Sequence, residues 1–239
     1  LFLMFKKLNP QKSVVLASYP KSGNTWLRFI FSYLFSENDT EVSFKTIENL
    51  APGIMKPWKF WFHKSQLNPS VFKSHSHFCK SNRFFKNIYI IRDPRDVYIS
   101  YYYFLGGAKD LEHFPWFISN YEFPYGRWSE HVRSWLQHKN DSHIAIVQYE
   151  NLLKDTIQEL DKVFMKLSLP STAKEREYAI NNSTFKTLKN NAEKSGNDYF
   201  FRKGKSQEWK YSYSRKAKEV FCMNEDVELI EELGYPSFE

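Results

Sequence analysis

The run Tyr19-Pro20-Lys21-Ser22-Gly23-Asn24-Thr25-Trp26 constrains this chain more than any other stretch. Before it, Ser13 to Ser18 reads Ser-Val-Val-Leu-Ala-Ser, short and apolar, as suits a buried strand of a parallel sheet. After it, apolar residues recur at Trp26, Leu27, Phe29, Ile30, Tyr33 and Leu34, a helical spacing. The run is therefore a strand-to-helix turn. Pro20 offers no backbone donor, and Gly23 lets a ligand approach the main chain closely. The helix N-terminus presents unpaired N–H groups and a positive dipole end to an anion. Lys21 adds a charge, and Ser22 and Thr25 add hydroxyls. The whole reads as a phosphate cradle. It is not a Walker A loop, which needs an earlier glycine followed by Gly-Lys-Ser/Thr; in this run Lys21 precedes Gly23, and no Mg²⁺-dependent NTPase follows. A bare Lys-Ser-Gly turn would fit an ordinary polar-capped strand–turn–helix equally well.

A second run, Arg92-Asp-Pro-Arg-Asp-Val-Tyr-Ile-Ser100, follows another apolar stretch, Asn87 to Ile91. Arg92 falls at a strand end, Pro94 fits the first turn of a helix, and Ser100 lies about two turns further on. An arginine and a hydroxyl so placed can hold a phosphate. A structural Arg92 paired with Asp93 or Asp96 accounts for the same letters. Two phosphate-binding runs on one chain point to a nucleotide phosphorylated at two separate positions.

Together the runs resemble the sulfotransferases that use 3′-phosphoadenosine 5′-phosphosulfate (PAPS). The likeness continues through Tyr101-Tyr102-Tyr103-Phe104 and through weaker matches at Trp128 to Trp135 and Tyr149 to Asp155. It reappears in Arg202-Lys203-Gly204 followed by Trp209-Lys210, where Gln207-Glu208 stands in place of the family's Gly-Asp pair. The resemblance implies that Lys21, Ser22, Gly23, Asn24, Thr25 and Trp26 hold the 5′-phosphosulfate end. It implies Arg92 and Ser100 for the 3′-phosphate, with Arg202, Lys203 and Gly204 also on the nucleotide. Trp26, Tyr149 and Phe185 match positions that flank adenine, and Ser183 matches a position that is usually threonine.

Val71-Phe72-Lys73-Ser74-His75-Ser76-His77 looks like a strand end with histidines just past it. Similar sulfotransferases have Lys-x-His here, which implies His75 as general base on the acceptor hydroxyl and Lys73 beside the transferring sulfuryl group. His77 is the rival base, and both histidines could equally be polar loop residues. An imidazole titrates near working pH, so the residue type fits the task. The resemblance further implies Lys21 beside the leaving phosphate oxygen, with Ser22 restraining that lysine until acceptor binds. Fixed cations neutralise the charge, so no metal is expected; no His-Glu-x-x-His or Cys-x-x-Cys occurs.

The expected reaction moves a sulfuryl group from PAPS to a hydroxyl or amine, leaving 3′,5′-ADP. A P-loop-like kinase and a non-catalytic nucleotide- or polyanion-binding module are the alternatives. The acceptor is expected to be a small molecule: a phenol, sterol, lipid-like alcohol or sugar. Trp58, Phe60, Trp61, Phe62, Phe104 and Phe114 are candidates to line its pocket; core packing would use the same residues.

At 239 residues with 42% hydrophobic content, the chain suits one well-buried domain, taken as 1–239. Apolar strands at 13–18, 71–74, 87–91 and 143–148 alternate with helical patterns at 23–36, 94–105, 126–139 and 154–168. That is an α/β fold with a mainly parallel sheet and the ligand across the strands' carboxyl ends. The stretch after Leu169 reads as helical, with Ser195 to Lys210 as a lid. The formal charge of +7 suits a polyanionic ligand, but the basic residues are dispersed, so no nucleic acid is expected. No stretch reaches the ~20 apolar residues of a membrane span, Lys6-Lys7 ends the apolar Leu1–Phe5 early, and Cys79 and Cys222 form no disulfide framework. A cytoplasmic enzyme is expected. Similar cytosolic enzymes dimerise through a short C-terminal motif; here Ser214-Arg215 replaces its Thr-Val pair, so a monomer or a differently built dimer is expected.

Overall fold

A computed structural model describes residues 9–37, 40–54, 64–108, 110–197 and 203–238. Its centre is a five-stranded sheet of order β2-β3-β1-β4-β5, every pairing parallel. The strands are β1 (Val14–Ser18), β2 (Gly53–Ile54), β3 (Val71–Ser74), β4 (Lys86–Ile91) and β5 (Ile144–Gln148). β1 lies in the middle because the chain places β2 at one edge, returns to lay β3 between β2 and β1, and then crosses to place β4 on the other side. The reversal leaves a crevice at the carboxyl ends of β3, β1 and β4, where open α/β sheets bind ligands.

Side chains alternate across the strands and give two apolar layers. Val14, Leu16, Val71, Ile88 and Ile90 face a cluster with Leu27, Phe31, Phe164 and Leu188. These belong to α1 (Asn24–Phe35), α7 (Thr156–Leu167) and α9 (Phe185–Lys194). Val15, Ala17, Phe72, Tyr89 and Ile91 face the opposite cluster with Val97, Trp128, Val132, Trp135 and Phe221. These come from α3 (Pro94–Phe104), α5 (Trp128–Leu136) and α11 (Arg215–Cys222). The remaining helices are α2 (Ile47–Leu50), α4 (Phe114–Asn120), α6 (Tyr149–Lys154), α8 (Ala173–Asn182), α10 (Trp209–Ser212) and α12 (Asp226–Glu232). Asp93 caps α3 by accepting from the Arg95 N–H, with Pro94 at the first helical position, as the sequence pattern requires.

The four expected strands are present, and the sheet is more uniform than expected, being parallel throughout. β2 is the additional strand. The dimer-motif positions are locally occupied: Ser214 caps α11 through the Ala217 N–H, and the exposed Arg215 pairs with Glu219 at 2.9 Å. Among the described residues no helix is long and apolar enough to cross a membrane.

Candidate active site

Strand register sets the site. β1 and β3 pair Leu16 with Lys73 and Ala17 with Ser74, which brings His75 beside Ser18. The His75 Nδ1 lies 2.8 Å from the Ser18 carbonyl. A carbonyl can only accept, so Nδ1 carries the proton and the ring's lone pair is on Nε2. Burial, and then the charge of Lys73, push this imidazole down to about 3. It is thus a neutral acceptor across the physiological range. His77 turns away: its exposed ring meets the Tyr125 carbonyl at 2.8 Å. Of the two histidines, His75 lines the cavity described below.

On β1, the turn after Ser18 has two left-handed residues, Lys21 (φ 67°) and Gly23 (φ 98°). A lysine there is strained by about 1–2 kcal/mol, a cost that concentrates at functional loops. Gly23 has a second constraint, since a Cβ on it would lie 2.6 Å from the Tyr149 ring. Gly23 is also the N-cap of α1, with no side-chain cap, so the first N–H groups of α1 point out of the helix start. The Lys21 ammonium sits 4.2 Å from the centre of the Phe104 ring. Ser22 is fully buried beneath the loop, and its hydroxyl makes no hydrogen bond. Asn24 is turned inward, donating to the Leu16 carbonyl at 2.9 Å and to Ser18 Oγ at 3.2 Å. Its amide nitrogen fastens the helix start to β1, while its Oδ1 is left without a hydrogen bond.

Arg92 ends the next strand. Its Nη1 donates to the Lys21 carbonyl and its Nη2 to the Lys205 carbonyl, both at 3.0 Å. Its guanidinium lies over the Tyr149 ring at 4.5 Å, and Asp96 is 3.7 Å away. The Nε is buried without a partner. The pairing with Asp96 allowed by sequence is therefore present but long, and the main-chain contacts are shorter. Asp93 pairs instead with Arg95 at 2.6 Å.

The 203–208 segment closes over this corner. Asp96 accepts from the Gln207 N–H at 2.7 Å and the Trp209 N–H at 3.0 Å. Gly204 is left-handed, and a Cβ on it would lie 2.1 Å from the Phe185 ring. Gln207, which stands where the family pattern has glycine, is itself left-handed at φ 62°. The turn survives the substitution at a conformational cost, and Glu208 pairs with Lys203 at 2.8 Å. Replacing Gln207 with glycine is expected to raise stability by about 0.5–1 kcal/mol, the relieved strain less the added chain entropy. Urea unfolding checks this. Gly204-Lys205-Ser206 is a Gly-Lys-Ser triplet, but Tyr199 stands where a Walker A loop would have its first glycine.

A cavity of about 690 Å³ opens onto Lys21, Gly23, Asn24, Thr25, Trp26, Lys73, His75, Arg92, Ser100, Tyr149, Ser183, Phe185, Lys203 and Gly204. The sequence-predicted residues thus converge, Ser22 excepted; Arg202 lies outside the described residues. Ser183 is fully buried with its hydroxyl unpartnered at the cavity wall. Trp26 meets Tyr149 edge-on, with centroids 6.1 Å apart. This wall carries five cationic side chains, Lys21, Lys73, Arg92, Lys203 and Lys205, against one carboxylate, Glu208, which is already paired with Lys203. The site's field is positive, as an anionic ligand requires. Among the described residues no group of His, Cys, Asp and Glu could hold a metal ion.

Beyond the cradle the wall is largely aromatic, Tyr101, Phe104 and Tyr125, with Pro124 beside them. Phe104 is where the sequence placed it. Phe114 is not, being fully buried in the core against Tyr102 and Tyr213, with centroids at 5.4 and 5.1 Å. The start of α4 buries it between Tyr102 of α3 and Tyr213, just past α10. Trp58, Phe60, Trp61 and Phe62 lie outside the described residues. Sequence reading missed Tyr101 and Glu48 as site neighbours. Glu48 binds Arg28 at 2.9 Å and the Gly53 N–H at 3.2 Å, next to Lys73. Nothing in the sequence links positions 48 and 73 until β2 joins them.

The model of the sulfotransferase domain matches residues 11–224, and the chain belongs to the sulfotransferase family. A 3-beta-hydroxysteroid sulfotransferase of Cavia porcellus is 30% identical over 243 residues, covering 90% of this chain and 83% of that protein. Sulfotransferase 2A1 of Homo sapiens is 28% identical, with coverage of 88% and 81%. The fold is shared with the mouse sulfotransferase SULT7A1 complexed with PAP, at a TM-score of 0.68 and 21% identity, covering 93% of this chain and 88% of that one. It is likewise shared with retinol dehydratase in a complex with retinol and PAP, at a TM-score of 0.68 and 18% identity, with coverage of 90% and 81%.

Proposed function

We propose that this chain transfers a sulfuryl group from PAPS to the hydroxyl of a small apolar acceptor, with His75 as general base and Lys21 beside the leaving phosphate. The observation that carries this is the convergence of His75, Lys73, the Lys21–Trp26 loop and Arg92 on one cavity. The acceptor oxygen forms a bond to sulfur as its proton passes to His75 Nε2. The bond from sulfur to the 5′-phosphate oxygen breaks, and its electron pair stays on that oxygen. Cations held there stabilise the developing charge. Ser22 acts from beneath the loop, through its conformation, since its hydroxyl is buried.

The chain's own groups suit the two ends of the nucleotide. Arg92 and Ser100 take the 3′-phosphate, with Lys203 and Gly204, and Arg202 by its place in the motif. Trp26, Tyr149, Phe185 and Ser183 supply aromatic faces and a hydroxyl for adenine. The aromatic acceptor wall of Tyr101, Phe104 and Tyr125 fits a flat alcohol such as a sterol or phenol, and the steroid name of the Cavia porcellus relative points the same way. The absence of a Walker A loop argues against a kinase.

Calorimetric titration with 3′,5′-ADP, with ATP as control, tests the nucleotide site without an acceptor. Micromolar binding, about −8 kcal/mol, is expected, with ATP much weaker. Folded protein that ignores 3′,5′-ADP would reject the proposal. Transfer from PAPS to a panel of sterols, phenols and sugars then identifies the acceptor.

Lys73 gives a pH signature. Burial, then the Arg28 charge, push it down to about 8, while Glu48 opposes them. If its charge aids transfer, kcat falls as pH rises through about 8 and holds below it. Glu48→Gln removes the opposing charge, so the alkaline limb moves to lower pH. A pH–rate profile of both proteins checks the direction; an unshifted limb would dissociate Lys73 from the rate.

A further inference from the structure

The 75–78 segment that carries the proposed base is held by one helix at three successive points. His131 Nε2 lies 3.0 Å from the His75 carbonyl, Trp135 Nε1 donates to the Ser76 carbonyl at 3.2 Å, and Ser134 Oγ accepts from the Phe78 N–H at 3.1 Å. All three side chains belong to α5. His131 is the unusual member. It is fully buried in the apolar layer, where a histidine is costly unless both ring nitrogens are bonded.

Both are. The His75 carbonyl only accepts, so His131 Nε2 carries the proton. Its Nδ1 then accepts from the Tyr89 hydroxyl at 2.7 Å. Tyr89 lies on β4, and its ring stacks on His131 at 5.7 Å. Tyr19 and His77 close the ring's other sides edge-on, at 5.4 and 4.8 Å. A continuous chain results: Tyr89 hydroxyl to His131, His131 to the His75 main chain, and the His75 ring to the Ser18 carbonyl. The two imidazoles hold opposite tautomers, His131 with its proton on Nε2 and His75 on Nδ1. His131 holds the main chain of His75, and the Ser18 carbonyl independently leaves the His75 lone pair on Nε2.

We infer that His131 is a positioning residue for the general base, setting the His75 main chain from α5 while Ser18 sets its ring from β1. This rests on His75 being the base. His131 reaches neither acceptor nor nucleotide; it acts through His75. Held from both sides, the imidazole loses little orientational freedom, and a misplacement of about 1 Å at such a group costs about 10²-fold in rate.

The test compares His131→Leu, His131→Gln and Tyr89→Phe with the parent enzyme, using the panel acceptor of highest turnover and titration with 3′,5′-ADP. Glutamine can present an amide N–H close to where the imidazole presents Nε2–H. His131→Leu is expected to lose about 10²-fold in kcat, with acceptor KM and 3′,5′-ADP affinity within about twofold. His131→Gln recovers most of that loss, and Tyr89→Phe loses about fivefold. In protein carrying ¹⁵N-histidine, the His75 Nδ1–H signal is identified by its absence in His75→Ala. It exchanges with water faster in His131→Leu than in His131→Gln. Unchanged kcat in His131→Leu, a loss that glutamine does not relieve, or a parallel loss of 3′,5′-ADP affinity would overturn the positioning role. Should His131→Leu not fold, Tyr89→Phe decides: parental kcat and parental exchange would overturn it. Turnover retained by His75→Ala would instead reject the base assignment itself, whatever the His131 variants show.

Discussion

His75→Ala loses sulfuryl transfer by about 10²–10⁴-fold, the usual contribution of a positioned general base, and keeps its affinity for 3′,5′-ADP. The separation follows from geometry. His75 touches the protein through its ring bond to Ser18 and its main-chain bond from His131. Neither is part of the cradle's own N–H array at the start of α1. The neighbouring His77→Ala is expected to be near parental, because that ring faces the Tyr125 carbonyl. Steady-state rates with PAPS and titration with 3′,5′-ADP read both variants. Loss of nucleotide affinity and rate together in a folded His75→Ala protein would remove His75 as a dedicated base. A large loss in His77→Ala would exchange the two assignments.

Arg92→Ala weakens binding of PAPS by more than about 10-fold, as expected for a charged phosphate contact. The guanidinium has a second task, since it also bridges the Lys21 and Lys205 carbonyls. Its removal therefore disturbs the cradle loop and the 203–208 segment as well. Adenosine 5′-phosphosulfate, which lacks the 3′-phosphate, separates the two contributions. A loss much larger for PAPS than for this analogue assigns Arg92 to the 3′-phosphate. Equal losses would make Arg92 an organiser of loops and not a phosphate ligand.

The parts of the site written in contiguous residues were legible in advance. The β1–turn–α1 unit, the Arg92–Ser100 helix start and the Lys-x-His strand end each carry their signal within about ten residues, where hydrophobic period and turn chemistry act. Contacts made across the sheet were not. Asn24 reads as a polar residue of the cradle, and that its amide nitrogen also ties the helix start to Leu16 and Ser18 could not be read from the letters. Ser22 reads as a hydroxyl of the cradle, yet it is fully buried and makes no hydrogen bond. β2 spans only Gly53–Ile54, too short for an alternating pattern, and with it went the link between Glu48 and Lys73. Phe114 was indistinguishable from a pocket aromatic because a chain with 22 Phe and 15 Tyr must bury most of them. His131 did leave a trace: Trp128, His131, Val132 and Trp135 occupy one helical face, and a histidine among such neighbours asks for hydrogen-bonding partners.

The β1–β3 pairing has one more consequence. Hydrogen-bonded strands lie about 4.8 Å apart whatever is attached to their ends. The base-bearing strand and the cradle-bearing strand are such neighbours, in a register of four residue pairs from Val14 with Val71 to Ala17 with Ser74. Insertions, deletions or exchanges in the loop that brings Pro124 and Tyr125 to the cavity leave that spacing untouched. Descendants of this chain are free to reshape that rim, while the separation between His75 and the cradle is inherited unchanged.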